Sequence, residues 1–228
     1  MTEKPESAPV RTEKQRQAAK DYEKKGLRAY QEWDIDEAVE CFQKAIHLVS
    51  DEPNYLLGLA RVLARSGDFD RALRALADFI RLEPDSPPAN RFEALFASGM
   101  DEVEALLTDK MTDAGICLEQ IGAAIQMWLE YRITLGHNPL TVRKPETWAA
   151  ALDYTVRKVN LRPVKRREIA AFYDISERAV QEHHDALVQE LDVMPCDYRY
   201  FTNQENPLDK LVEAAEMLEQ LEARFQEP

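Results

Sequence analysis

The chain has 228 residues, enough for one large domain or two small ones with a substantial core. Its 42 acidic and 29 basic residues give a formal net charge of -13, which argues against a surface that binds nucleic acid or anionic lipid as a whole. Only seven residues are glycine, and alanine, leucine, glutamate and arginine dominate, so the composition predicts an all-α protein.

The first segment, residues 1–17, is polar and contains two prolines. We therefore expect it to be flexible. It also lacks the apolar stretch of a secretory signal. No run approaches the ~20 apolar residues that span a bilayer, so we expect a soluble, cytoplasmic protein without a membrane partner. The three cysteines form no Cys-x-x-Cys pair, and we interpret them as reduced, small hydrophobic residues.

Helical periodicity begins near residue 18 and predicts helices over 21–30, 34–49, 53–65 and 70–82. Small and apolar residues recur here at a spacing of 34. The pairs are Tyr22 and Leu56, Gly26 and Ala60, Ala38 and Ala72, and Phe42 and Leu76. A period of this length indicates helical hairpins that stack and bury their apolar faces against one another.

This region resembles the tetratricopeptide repeat family. The better-matching second copy contains Leu56, Leu59, Ala60, Leu63, Gly67, Ala72, Leu76 and Pro84, and the first contains Tyr22, Gly26, Ala38, Phe42 and Ala45. A degenerate third copy over 89–108 completes a repeat domain over 18–110. The resemblance implies a short α-α superhelix whose concave groove holds a peptide or helix of a partner protein.

Five residues are predicted to bind that partner because helical spacing places them on the exposed inner face of the groove: Tyr30, Asn54, Leu57, Arg61 and Arg65. Glu23, Leu27 and Gln31 share the same face. Arg61 and Arg65, one turn apart, can pair with carboxylates of a bound peptide. The alternative is that both guanidinium groups are solvated or bridged to neighbouring acidic residues.

The second half, residues 111–200, has a different pattern. Periodicity predicts a long helix over 113–135, a helix that contains Trp148 and Val159, and two further helices over 165–172 and 176–191. The last pair, joined by a four-residue turn, has the proportions of a helix-turn-helix. Trp148, Ala149-Ala150-Ala151, Glu168-Ile169-Ala170, Ile175-Ser176-Glu177, Leu187 and Leu191-Asp192-Val193 resemble a cyclin-type repeat of transcription factor IIB.

Charge in this half is uneven. Residues 143–167 contain eight basic side chains against Glu146 and Asp153, a local charge of +6. Residues 168–192 contain seven acidic side chains against Arg178 alone, or -6, which opposes insertion into a DNA groove. The residues predicted to contact DNA, if this domain binds it, are Arg162, Lys165, Arg166, Arg167 and Arg178. The alternative is a helix-turn-helix that packs as structure or against protein.

No residue set is typical of catalysis, a cofactor site or a metal site. His183 and His184 are adjacent and point about 100° apart on a helix, so we expect exposed, solvated imidazoles. The segment 201–228 predicts a helix from Pro207, whose apolar stripe either packs on its own domain or forms a homodimer. The sequence therefore predicts a non-enzymatic adaptor, with a DNA-binding transcription regulator that has a repeat sensor domain as the alternative.

Overall fold

The computed structural model describes residues 13–96 and 101–202, apart from the side chains of residues 91 and 94–96. Every regular element within these ranges is an α-helix, which confirms the predicted fold class. None of these helices is both long and apolar enough to cross a membrane. The chain divides into two compact units: Met1–Ala97 with Gly136–Asn138, and Ser98–Leu135 with Pro139–Pro228.

The first unit is built from helical hairpins. Its helices are α1 (Glu13–Gln31), α2 (Ile35–Leu48), α3 (Pro53–Arg65), α4 (Phe69–Leu82) and α5 (Pro87–Phe96). The helix α1 packs mainly on α2 and α3 mainly on α4, and α2 also packs on α3. The predicted helices are confirmed, although α1 begins eight residues before the predicted start at residue 21.

Equivalent residues of the two hairpins cap the second helix of each hairpin. Asp34 Oδ1 accepts a hydrogen bond from the backbone N–H of Glu37 (3.0 Å), and Asp68 Oδ1 accepts one from Arg71 (3.2 Å). Each bond caps a helix N-terminus, a role for which aspartate is well suited. The preceding residues, Trp33 and Gly67, both have positive φ, 61° and 81°. The 34-residue period therefore extends to the backbone geometry of the turns.

The two hairpins meet at a close contact between α2 and α3. Phe42 is fully buried, and a Cβ built on Gly58 would lie 2.6 Å from its Cζ. Glycine is required at residue 58 because the ring of the first hairpin lies against the backbone of the second. Ala38 and Ala72 are also fully buried, as expected for small residues where helices cross closely.

The second unit contains α6 (Glu102–Asp113), α7 (Leu118–Thr134), α8 (Pro145–Val159), α9 (Arg166–Phe172) and α10 (Glu177–Leu191). The helix predicted over 113–135 is observed, but it begins five residues later, at Leu118, because the chain turns between α6 and α7, where Gly115 has φ 69°. The helix α6 packs on α7 and α8 and groups with this unit. The boundary at 97/98 thus precedes the predicted boundary at 110/111.

A partly buried polar network holds α6 in the second unit. Asp101 caps α6 by accepting the Glu104 N–H (2.8 Å), and its Oδ2 also accepts Trp128 Nε1–H (2.9 Å). The guanidinium of Arg132 donates to Asp101 Oδ2 (2.7 Å) and to Glu104 Oε1 (2.6 Å). Glu104, in the first turn of α6, is therefore an ion-pair partner of Arg132 on α7.

After α10 the chain runs back across the second unit, and the structure describes it as far as Thr202. Arg199 donates to Glu130 Oε1 (2.5 Å), and Tyr200 donates to Glu130 Oε2 (2.6 Å), so this return is fixed to α7. Residues 1–12 of the predicted flexible segment lie outside the described residues, whereas residues 13–17 belong to the helix α1. The predicted C-terminal helix and its homodimer, from residue 203 onward, lie outside the described residues too.

Candidate functional site

The predicted partner-binding face of α1 and α3 is only partly exposed. Tyr30 is 8% exposed, Leu57 is 4% exposed and Arg65 is 3% exposed, so the prediction that these three side chains line an open wall is wrong. The guanidinium carbon of Arg65 lies 4.0 Å from the centre of the Tyr30 ring and 4.4 Å from that of Trp33. The Arg65 side chain is buried between the hairpins and is not available to a partner, because its guanidinium stacks favourably on these aromatic faces.

Arg61 is less buried than Arg65, which lies one turn further along α3. Its side chain is half-buried, and its guanidinium carbon lies 5.6 Å from the centre of the Tyr30 ring. Within the described part of the chain its guanidinium has no hydrogen-bond or ion-pair partner, and its Nε is buried. A cation in this state attracts an anion strongly, since a charge-assisted hydrogen bond would satisfy donors that are now unused.

Asn54 is exposed, but its amide already has partners. Its Nδ2 donates to Glu52 Oε1 (2.8 Å), and its Oδ1 lies 3.1 Å from His137 Nε2. His137 belongs to the segment Gly136–Asn138, which groups with the first unit, and its ring also packs edge-on against Phe79 (5.9 Å between centroids). The chain itself therefore occupies the start of the predicted face.

The exposed apolar residue on this face is Leu27, which is 40% exposed and lies one turn before Tyr30 on α1. One turn earlier, the half-buried Glu23 has its pKa raised, first by burial and then by the negative charge of Glu52. We call the surface formed by Glu23, Leu27, Tyr30 and Arg61 the repeat wall. It has an acidic end at Glu23 and a cationic end at Arg61, with an apolar centre.

Trp33, whose ring stacks on Arg65 next to the repeat wall, was not identified from the sequence. A signal was present, because Trp33 stands 34 residues before Gly67, at a position where the turn requires a left-handed residue. A tryptophan is costly there unless its ring makes a compensating contact.

The helices α9 and α10 of the second unit are joined by a four-residue turn, close to the helices predicted over 165–172 and 176–191. Asp174 has a left-handed φ of 54° in the turn, and Ser176 Oγ accepts the Ala179 N–H (3.1 Å) to cap α10. The buried residues of α10 are Val180, Leu187 and Leu191. This face packs on α8, so the opposite face of α10 is the one available to a partner.

The two adjacent histidines also face α8, which corrects the prediction that they are exposed and solvated. His183 packs edge-on against Trp148 with 4.5 Å between ring centroids, and His184 Nδ1 lies 2.8 Å from Thr155 Oγ1. Burial lowers the pKa of His184. Across the ranges that the structure describes, no group of three metal-ligating side chains is placed to hold an ion.

The basic residues of the second unit divide into two kinds. Arg157 is an internal residue, since its Nε donates to the fully buried Asp153 Oδ1 (2.5 Å). The residues predicted to contact DNA are exposed: Arg162, Lys165, Arg166, Arg167 and Arg178. Arg166 is hydrogen-bonded to Gln181 and Arg178 pairs with Glu182 (2.7 Å).

The exposed face of α10 carries Glu177, Glu182 and Asp185 beside Arg178. Carboxylates on a helix that enters a DNA groove repel the phosphates. The basic segment before and within α9 would favour a DNA contact, but the acidic exposed face of α10 opposes it.

Comparison with known families agrees with the geometry of the first unit. The tetratricopeptide repeat family matches residues 23–87 and, in an overlapping second match, residues 57–98. The N-terminal region carries tetratricopeptide repeats. The matches cover about a third of the chain and end near the boundary between the two units. Tetratricopeptide repeats generally mediate protein–protein interactions and are typically non-catalytic. Searches of curated proteins and of solved structures found no match.

Proposed function

We propose that this protein is a non-enzymatic adaptor that binds a peptide or helix of a partner protein on the repeat wall. The observation that carries the proposal is Arg61, a cation on the wall whose guanidinium has no acidic partner within the described residues. A partner carboxylate would satisfy it, and Leu27 supplies an exposed apolar contact one turn from Tyr30.

The charges of the wall also specify direction. An apolar side chain of the partner contacts Leu27, and a carboxylate of the partner pairs with Arg61. A basic side chain or amine of the partner lies towards Glu23 and Glu52. Such complementarity sets orientation and specificity more than affinity, while the apolar contact contributes most of the binding energy. This mode is the capture of a helix or extended peptide in a groove.

The experiment that tests this function is selection of peptides from a random displayed library on the full-length chain. We expect the selected peptides to share an apolar residue and a carboxylate at a fixed spacing. Binding of these peptides should fall at least tenfold in Arg61→Glu and in Leu27→Glu.

Arg74→Glu is the matched control, because Arg74 is exposed on α4 of the same unit and makes no ion pair in the described ranges. Equal binding by the Arg61 and Arg74 variants would show that the wall is not the site. Selection of peptides with no common acidic position would also contradict the proposal.

A second candidate function is DNA binding by the helix-turn-helix, with the repeats as a sensor of protein partners. It is favoured by the exposure of Arg162, Lys165 and Arg167 within six residues. Neither Arg162 nor Arg167 makes an ion pair in the described part of the chain, whereas Lys165 lies 3.9 Å from Glu168.

Binding to random duplex DNA at low and raised salt tests this candidate. A DNA-binding chain would lose affinity steeply with salt, and the quadruple alanine variant at Arg162, Lys165, Arg166 and Arg167 would lose both the affinity and the slope. Absence of salt-dependent binding removes the candidate.

A further inference from the structure

A cavity of about 280 Å³ opens on the second unit beside the end of α8. The described residues that line it are mostly apolar: Thr155, Lys158, Val159, Leu161, His184, Val188, Val193, Met194 and Pro195. At its edge Met194 is 57% exposed and Leu161 is 49% exposed. An apolar cavity bordered by large exposed apolar side chains is typical of a surface that another segment covers.

The end of the described chain is held next to this cavity. The backbone N–H of Thr202 donates to Asn160 Oδ1 (2.8 Å), and Asn160 Nδ2 donates to the carbonyl of Tyr200 (3.0 Å). Asn160 stands between Val159 and Leu161, two of the residues that line the cavity. Residues 203–206 can extend about 14 Å at most, so a helix that begins at Pro207 starts within reach of the cavity.

The 26 residues from 203 to 228 have the composition that this surface requires. Their apolar residues recur at helical spacing: Leu208, Leu211, Ala215, Leu218, Leu221 and Phe225. They contain seven acidic residues against Lys210 and Arg224, a net charge of -5. The described cavity lining contains Lys158 and no carboxylate, and the neighbouring Arg162 is exposed and makes no ion pair with a residue in the ranges 13–96 and 101–202.

We infer that this cavity, with Leu161 and Met194 at its edge, is the docking site of the chain's own C-terminal segment, residues 207–226. The apolar stripe of the segment covers the cavity, and its acidic face lies beside Lys158 and Arg162. Docking here neutralises part of the basic surface that a DNA contact would use.

Hydrogen exchange of the full-length protein, read by mass spectrometry, tests the inference. Amides of 207–226 in the unchanged protein should exchange at least tenfold more slowly than in an unstructured peptide. Met194→Asp should abolish that protection, because it places a carboxylate at the apolar edge and beside an acidic segment.

Leu118→Asp is the matched control, since Leu118 is 79% exposed in the same unit but away from the cavity lining, and it should leave the protection intact. Protection of α6, which contributes none of the described lining residues, should be the same in all three proteins, which reports that the unit is folded.

Three results would overturn the inference: no protection of 207–226 in the unchanged protein, the same protection in Met194→Asp, or protection that depends on protein concentration. The last result would assign the segment to a second copy of the chain.

Discussion

The guanidinium of Arg65 stacks on the ring of Tyr30, with 4.0 Å between its central carbon and the ring centre, and this contact joins α3 to α1. Both residues were predicted to face a partner. Their burial divides the predicted face into a structural part, at Tyr30 and Arg65, and a part that stays accessible, at Leu27 and Arg61.

The two arginines of α3 should therefore differ in their effect on stability. Arg65→Ala should lower the free energy of unfolding by about 1–3 kcal/mol, because it removes a buried side chain and its stacking on two aromatic rings. Arg61→Ala should change it by less than about 0.5 kcal/mol, as expected for a residue that makes no ion pair among the described residues. Urea denaturation followed by circular dichroism measures both, and equal losses would contradict the division.

Trp33 should be sensitive to backbone geometry as well as to loss of its ring. Trp33→Gly and Trp33→Ala both remove the contact with Arg65, but only alanine is strained at a φ of 61°. We expect the glycine variant to be more stable than the alanine variant by about 1 kcal/mol. Thermal denaturation of the two variants gives the comparison, and an alanine variant of equal or greater stability would refute it.

Gly58→Ala should be destabilising by about 1–3 kcal/mol, because the added methyl group overlaps the Phe42 ring. In a Phe42→Leu background the same substitution should cost much less, since most of the ring atoms are gone. A double-mutant cycle measured by urea denaturation isolates this coupling. An unchanged cost in the two backgrounds would mean that the Phe42 ring is not the obstacle.

The helical hairpins and the two helices α9 and α10 could be predicted because local signals agree with the fold there. Asp34, Asp68 and Ser176 cap helices that begin close to the predicted starts. The 34-residue spacing identifies Ala38 and Ala72 as equivalent packing positions in the two hairpins. Helical periodicity reports which residues share one face of a helix. It does not report what covers that face.

The candidate site was predicted less well for that reason. Leu57 and Arg65 share a face with Arg61, but long-range contacts bury the first two and leave the third half-exposed. The histidines failed in the same way, since contacts with α8 lie 29 and 36 residues away in sequence. The start of α7 was predicted five residues too early, because the turn around Gly115 depends on a positive φ that periodicity does not report.

His184 should make the stability of the second unit depend on pH. Burial is the main cause that lowers its pKa below the ordinary value of 6.5; Asp185 opposes the shift, and Lys158 and Arg166 add to it. Below about pH 6.5 the unfolded chain therefore takes up a proton at this residue before the folded chain does, so its contribution to stability falls as pH falls.

We expect His184→Gln to flatten the decrease in the free energy of unfolding between pH 7.5 and 5.5, because glutamine takes up no proton. Urea denaturation of both proteins across this range measures the slopes. Identical slopes would show that His184 titrates equally in the folded and unfolded chains.

The role of Arg61 is tested most directly by reversing charges on both sides of the contact. A library-selected peptide should bind Arg61→Glu at least tenfold more weakly than the unchanged protein, measured by isothermal titration calorimetry. Replacing the peptide's shared carboxylate residue by lysine should restore most of that loss in the variant and weaken binding to the unchanged protein. If the lysine peptide binds the variant no better than the original peptide does, Arg61 does not pair with the partner and the proposed binding mode is wrong.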